Sequence, residues 1–236
     1  MKDEVKVIIL AGGCGERMGG GDLPKQLYVL DDGVRVLDLT LSAYNDMPEI
    51  DSISVVYNEQ YRDIFLRTCR KYHKISEMVR GGASRQKSLC KGLVEGISSK
   101  FVLIHDSARP IVCQRAVREC IAKLKAGSRA VHTMFSAYAT MVVVKDGQIL
   151  STIDRSEIAY PQCPLCFDSE VLQESLAFAQ SMGREFRDEI TMVRFSDPCC
   201  KIDLVEGHQT GFKVTYPEDY DFLRTYLLLK RKENNE

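Results

Sequence analysis

Net charge is almost absent from this 236-residue chain, in which 32 Lys and Arg oppose 33 Asp and Glu for a balance of −1. Proteins that bind nucleic acid or a membrane surface usually carry a basic excess or a basic stripe, so neither partner is expected. Long hydrophobic runs are missing too. The longest, Val7-Ile8-Ile9-Leu10-Ala11 and Tyr226-Leu227-Leu228-Leu229, fall far short of the roughly 20 residues of a membrane span. The first is also too short for a signal-peptide core, and no small-residue cleavage site follows it, so the expected location is the cytoplasm. Histidine is scarce, with four residues and none at a catalytic spacing.

Cysteine is plentiful, but its nine residues are odd in number and widely scattered, which fits reduced thiols packed as small hydrophobes. Cys163-Pro-Leu-Cys166 is a CxxC without a second at zinc-ribbon spacing, so structural zinc is not expected. A composition of 44% hydrophobic and 28% charged residues is that of an ordinary globular protein able to bury a sizeable core.

Residues 6–11, 52–57 and 101–106 are short apolar runs that read as buried strands. Between and after them, residues 35–46, 59–72, 84–98 and 114–125 carry helical periodicity. Such alternation predicts an α/β fold of Rossmann-like type, with a mostly parallel twisted sheet and helices on both faces. Ligands of such sheets bind beyond the carboxyl ends of the strands, where Gly12-Gly13 and His105-Asp106 fall. Past residue 134 the alternation breaks, and Met141–Leu150 reads as two strands around an Asp146-Gly147 turn. One domain over 1–236, with an inserted β-hairpin arm at about 138–160, is the simplest organisation. A last helix opens at Pro217-Glu218-Asp219 and closes at Lys230-Arg231-Lys232, as its dipole prefers.

The most informative stretch runs from Leu10 to Gln26. Gly12, Gly13 and Gly15 let the backbone approach an anion closely, so that successive N–H groups wrap phosphate oxygens, and Arg17 and Lys25 add positive charge. The loop is not a Walker A sequence, because Gly-Lys-Ser/Thr is absent, and Met18 stands where a dinucleotide fingerprint begun at Gly13 needs glycine.

Four motifs in order carry a resemblance: the glycine loop ending in Leu23-Pro24-Lys25-Gln26; Gly81-Gly82-Ala83-Ser84-Arg85 with Ser88; His105-Asp106-Ser107-Ala108-Arg109-Pro110; and Lys213-Val-Thr-Tyr-Pro217-Glu218-Asp219. Over nearly its whole length the chain resembles the CTP-dependent polyol-phosphate cytidylyltransferases. The resemblance implies transfer of CMP from CTP to a polyol phosphate with release of pyrophosphate, a Mg²⁺ cofactor, and a homodimer formed through the arm. The expected acceptor is 2-C-methyl-D-erythritol 4-phosphate, which would place the chain in isoprenoid biosynthesis. Ribitol 5-phosphate or another polyol phosphate is the alternative acceptor, and a catalytically weak nucleotide-binding homologue is the alternative role.

By the same resemblance Arg17, Lys25 and Lys213 are the catalytic cations, the first two on the triphosphate and the third near the α-phosphate. By itself Lys213 is only a lysine before a predicted strand end. Ala11, Gly12, Gly13, Gly15, Gly82, Ala83, Ser88 and Asp106 are expected at the nucleotide. Two glycines can present backbone groups to the base edge, and Ser84 can cap a helix whose Ser88, one turn on, faces the same site. Asp106 is also the expected Mg²⁺ ligand, since this ion takes one or two carboxylates plus phosphate oxygens. Arg109, Thr140 and Arg155 are assigned to the acceptor, Arg109 at its phosphate. Here the chain departs from the family pattern: Ala139-Thr140 stands for Asp-Thr, Tyr160-Pro161-Gln162 for Thr-Pro-Gln, and Gly211 for an asparagine. The nucleotide half is matched more closely than the acceptor half.

Overall fold

In a computed structural model of the chain, residues 4–13, 23–31, 33–94 and 99–233 are described. The expected strands form as β1 (Val5–Ala11), β2 (Ser52–Tyr57) and β4 (Phe101–Asp106), together with β3 (Ile75–Arg80), β5 (Ala130–Ser136), β8 (Ala159–Asp168) and β9 (Ile202–Glu206). They build one seven-stranded sheet in the order β3-β2-β1-β4-β8-β5-β9. All neighbours run parallel except β8, which lies antiparallel between β4 and β5.

The central strands are continuous apolar runs because both of their faces are covered. Along β1, Val5, Val7, Ile9 and Ala11 pack on one side against α1 (Val36–Asn45), α2 (Arg62–Cys69) and α4 (Gln114–Lys125), through residues such as Tyr44, Phe65 and Val117. Ile8 packs on the other side with α3 (Arg85–Val94), α5 (Ser169–Ser181) and α6 (Glu189–Ser196), through Leu89, Leu172 and Val193. This alternation is what a strand's twofold side-chain period requires. A third, smaller cluster joins Leu30, Val36 and Val214 to Tyr220 and Leu223 of α7 (Glu218–Glu233).

Element bounds differ from expectation in one helix, and the end of another is left open. The 59–72 segment divides into a 3-10 turn, Glu59–Tyr61, and the shorter α2; α3 is described to Val94, and 95–98 lie outside the described residues. The hairpin forms from β6 (Met141–Lys145) and β7 (Gln148–Ile153). Asp146 and Gly147 take φ of 51° and 77°, the two consecutive positive values that a two-residue type I′ turn demands. The eight described cysteines are free thiols, and no group of three metal-ligating side chains occurs among the described residues.

Candidate active site

The carboxyl ends of β1, β2, β3 and β4 open into one cleft of about 870 Å³, lined by Gly12, Gly13, Lys25, Gly82, Ala83, Ser88, Asp106 and Lys213 among others. Four segments far apart in the chain thus reach one site. Of the other expected nucleotide residues, Arg17 and Gly15 lie outside the described residues. Ala11 sits behind the cleft, 1% exposed, with its side chain in the core.

Close backbone approach shapes one wall. A Cβ on Gly81 would stand 3.1 Å from the Tyr57 carbonyl and 3.3 Å from Ser88 Oγ, so only glycine fits without displacement there. Ser88 Oγ accepts the Gly82 N–H at 3.0 Å, and Ser84 Oγ accepts from Lys87 N at 3.2 Å as the cap of α3. Both serines therefore brace the loop that Gly82 and Ala83 present to the cleft. On the opposite wall Gln26, 2% exposed, donates Nε2 to the carbonyls of Ala11 (2.6 Å) and Gly13 (2.9 Å). That side chain, lying inside a recognised motif but given no role by the sequence, ties the Lys25 segment to the glycine loop.

A chain of alternating charges crosses the floor. Lys213 Nζ lies 2.7 Å from Asp106 Oδ2, Arg85 lies 3.1 Å from Oδ1, and the other guanidinium nitrogen of Arg85 is bound by the buried Glu189. Burial alone would raise the pKa of Asp106, but Arg85, Lys213 and Arg109 together hold it well below the usual carboxylate range. Asp106 is therefore an anion at any working pH, and it holds the Lys213 ammonium at the cleft. Lys213 itself lies in an irregular segment rather than at a strand end. Sequence reasoning gave no role to Arg85 or Glu189; the former stands in a quoted motif, while the latter carries no local signal.

Behind Asp106, His105 is fully buried. Its Nε2 faces the Arg109 carbonyl at 2.9 Å, an acceptor only, so Nε2 carries the hydrogen, and Nδ1 accepts the Tyr44 hydroxyl at 2.8 Å. This neutral tautomer pins the turn from Asp106 to Arg109. Burial pushes the His105 pKa down to about 4. Between its ordinary value of about 6.5 and about 4, the unfolded state binds a proton that the folded state refuses, so stability falls as pH drops through that window. His105 alone should remove on the order of 3 kcal/mol between neutrality and pH 4. A His105→Asn chain should show a flatter urea midpoint over that range, and an unchanged slope would refute the assignment.

The acceptor-side residues behave differently. Arg109 donates to the carbonyls of Gly211 (2.7 Å) and Pro161 (2.9 Å), tying the start of β8 to the loop that leads into Lys213. Gln162 lies between two glycines, donating to the His208 carbonyl at 2.7 Å and accepting from the His208 N–H at 3.1 Å. A Cβ at Gly211 would come within 2.7 Å of Gln162 Oε1, so a side chain at 211 requires the end of Gln162 to move. Thr140 and Arg155 are exposed on the arm and do not line the cleft of their own chain.

An α/β sheet that gathers glycine loops, lysines and an ionised carboxylate at the parallel strand ends has the make-up of a phosphate-binding site. The profile of the family described as IspD, 2-C-methyl-D-erythritol 4-phosphate cytidylyltransferase, matches residues 5–229, and this family match makes the protein a nucleotidyltransferase. The chain belongs to the IspD family, whose activity is cytidylyl transfer from CTP to 2-C-methyl-D-erythritol 4-phosphate. It is 32% identical over 222 residues to the 2-C-methyl-D-erythritol 4-phosphate cytidylyltransferase of Chlamydia trachomatis, covering 94% of each chain. Identity to the Bacillus cereus protein of the same name is 29% over 228 residues, 96% of this chain and 99% of that one. Among solved structures, the 4-diphosphocytidyl-2C-methyl-D-erythritol synthase of Anaerococcus prevotii superposes with a TM-score of 0.84 at 25% identity, covering 97% of this chain and 100% of that one.

Proposed function

We propose that this chain joins 2-C-methyl-D-erythritol 4-phosphate to CMP in the cleft at the ends of β1–β4. A phosphate oxygen of the acceptor attacks the α-phosphorus of CTP, the bond to the bridging β-oxygen breaks, and pyrophosphate leaves. The second pKa of a phosphate monoester is about 6, so the acceptor is already largely dianionic at neutrality and needs no general base. The site has to position two anions and compensate the charge that develops between them.

The convergence of Lys25, Lys213, Asp106 and the two glycine loops on one cleft carries this reading. Lys213 approaches the α-phosphate, held by Asp106. Lys25, and by family resemblance Arg17, meet the triphosphate, while Gly12, Gly13 and by resemblance Gly15 turn backbone N–H groups toward it. Gly82, Ala83 and Ser88 face the cytosine. The Asp106 carboxylate suits Mg²⁺, since it is ionised and opens on the cleft, and a single carboxylate is enough when phosphate oxygens and water complete the shell. When bound, the ion neutralises phosphate charge; Asp106 would be its protein ligand.

The arm supports a homodimer. β6 and β7 leave Val144, Ile149 and Leu150 at 59–68% exposure, and an isolated two-stranded hairpin is marginal in water unless it packs on something. Thr140 and Arg155, remote from their own cleft, would then reach the acceptor in the other copy, beside Arg109. Sedimentation at assay concentration should give twice the chain mass, and a monomer would count against the arm's role. No helix among the described residues is long and apolar enough to cross a membrane.

Pyrophosphate release from CTP and Mg²⁺ with a panel of acceptors tests the whole reading. 2-C-methyl-D-erythritol 4-phosphate should be turned over most efficiently. Preference for ribitol 5-phosphate would reassign the acceptor, and CTP binding without turnover of any acceptor would leave a nucleotide-binding homologue.

A further inference from the structure

We infer that the first turn of α7 is a double clamp that sets the two phosphate-facing lysines, making Asp219 and Tyr220 positioning residues for the transfer. The inference rests on the roles proposed above for Lys25 and Lys213. Those lysines lie 188 positions apart in the chain, on segments without regular strand structure, and each segment is tied to this same helical turn.

The Lys25 side is held by Tyr220. Its hydroxyl donates to the Lys25 carbonyl at 3.1 Å, and its ring stacks on Tyr28 with centroids 4.0 Å apart and planes at 18°. Arg224, one turn further along α7, donates to the Tyr28 hydroxyl at 3.0 Å. Lys25 begins a single 3-10 turn, Lys25–Leu27, which has no lattice of its own to fix it. Gln26 ties this turn to Ala11 and Gly13, and Arg35 donates to the Leu27 carbonyl at 2.6 Å; the Tyr220 hydrogen bond and the ring stack add the tie to α7.

The Lys213 side is held by Asp219. One of its carboxylate oxygens accepts the N–H groups of Thr215 at 2.6 Å and Tyr216 at 2.9 Å, and the Thr215 hydroxyl donates to the Lys213 carbonyl at 3.0 Å. Between Lys213 and Thr215, which both line the cleft, Val214 turns inward, fully buried beside Tyr220 and Leu223. Its N–H also donates to the Ala108 carbonyl at 2.8 Å, so the segment is fixed to the Asp106 turn as well. Charge placed by two short irregular segments is effective only when their separation is constant, because misplacement of a preorganised donor loses transition-state stabilisation. Adjacent residues of one rigid helix provide that constancy.

Tyr220→Phe removes the hydroxyl and keeps the stacked ring, so the fold should be retained with a thermal midpoint within about 2 °C of the parent. kcat/KM should fall about fivefold, the scale of one net hydrogen bond. Because Tyr220 acts through Lys25, the same change in a Lys25→Ala chain should have almost no further effect; Asp219→Asn should likewise lose its effect in a Lys213→Ala chain. Each cycle is read in kcat/KM and in CTP affinity by calorimetry. Additive losses, a loss matched by a fall in thermal midpoint, or unaltered values for Tyr220→Phe would overturn the clamp. If CTP binds but no acceptor is turned over, the acceptor reading fails while the Tyr220–Lys25 affinity cycle still decides the Lys25 half of the clamp. If Lys25→Ala and Lys213→Ala change neither readout, the clamp is overturned together with the lysine roles.

Discussion

Lys213→Ala should lower kcat by at least about 10²-fold, the scale on which a preorganised charge donor contributes to a transition state. The ammonium stands 2.7 Å from Asp106 Oδ2, and its side chain is about one third exposed, so it can meet a ligand in the cleft while staying fixed. Its removal takes away the positive charge nearest the proposed position of the α-phosphate and leaves Asp106 with Arg85 as its principal remaining partner. The site then becomes more negative just where a further anion must arrive. A charge that matters most as the transition state forms shows in kcat more than in KM, so the loss should fall mainly on kcat at saturating CTP. Folding should change little, because the Asp106–Arg85 pair survives at 3.1 Å. Pyrophosphate release measures the effect directly, and turnover within threefold of the parent would remove Lys213 from the mechanism.

Glu189→Ala should have the largest effect on stability of any single change to the site, about 3 kcal/mol, the lower end of the cost of breaking a buried ion pair. Glu189 is 2% exposed at the start of α6, and it contacts Arg85 at the start of α3. Burial raises the Glu189 pKa while the Arg85 guanidinium opposes that rise, so the carboxylate depends on this partner. Arg85 is one third exposed and keeps Asp106, which limits the loss. Urea unfolding measures the loss. Glu189→Gln keeps the shape and an acceptor, so it should cost clearly less than alanine; equal midpoints for the parent and the alanine variant would show that the pair carries no net stability.

The parts of this fold that can be read from sequence are those where burial acts on consecutive residues. β1, β2 and β4 are covered on both faces and announce themselves as apolar runs, and the Asp146-Gly147 turn demands residues that tolerate positive φ. β3 is an edge strand, half exposed, and its Ser76, Glu77 and Arg80 hide it. β8 carries Pro161 and Pro164, which argue against a central strand, yet it occupies one. Within the site, Lys25, Asp106 and Lys213 are legible through motifs, whereas the contact between Arg85 and Glu189 spans 104 positions and leaves no local trace.

β8 also has a mechanical meaning. Its last residues are clamped between β4 and β5, its first residues pair with the end of β5 beyond the reach of β4, and the arm grows from that free end. At Cys163, where the clamped part begins, the thiol sulfur accepts the Asp106 N–H at 3.5 Å. The strand is therefore anchored on both sides at its root and paired on one side only where the arm attaches, and the anchored end touches the Asp106 turn that holds Lys213.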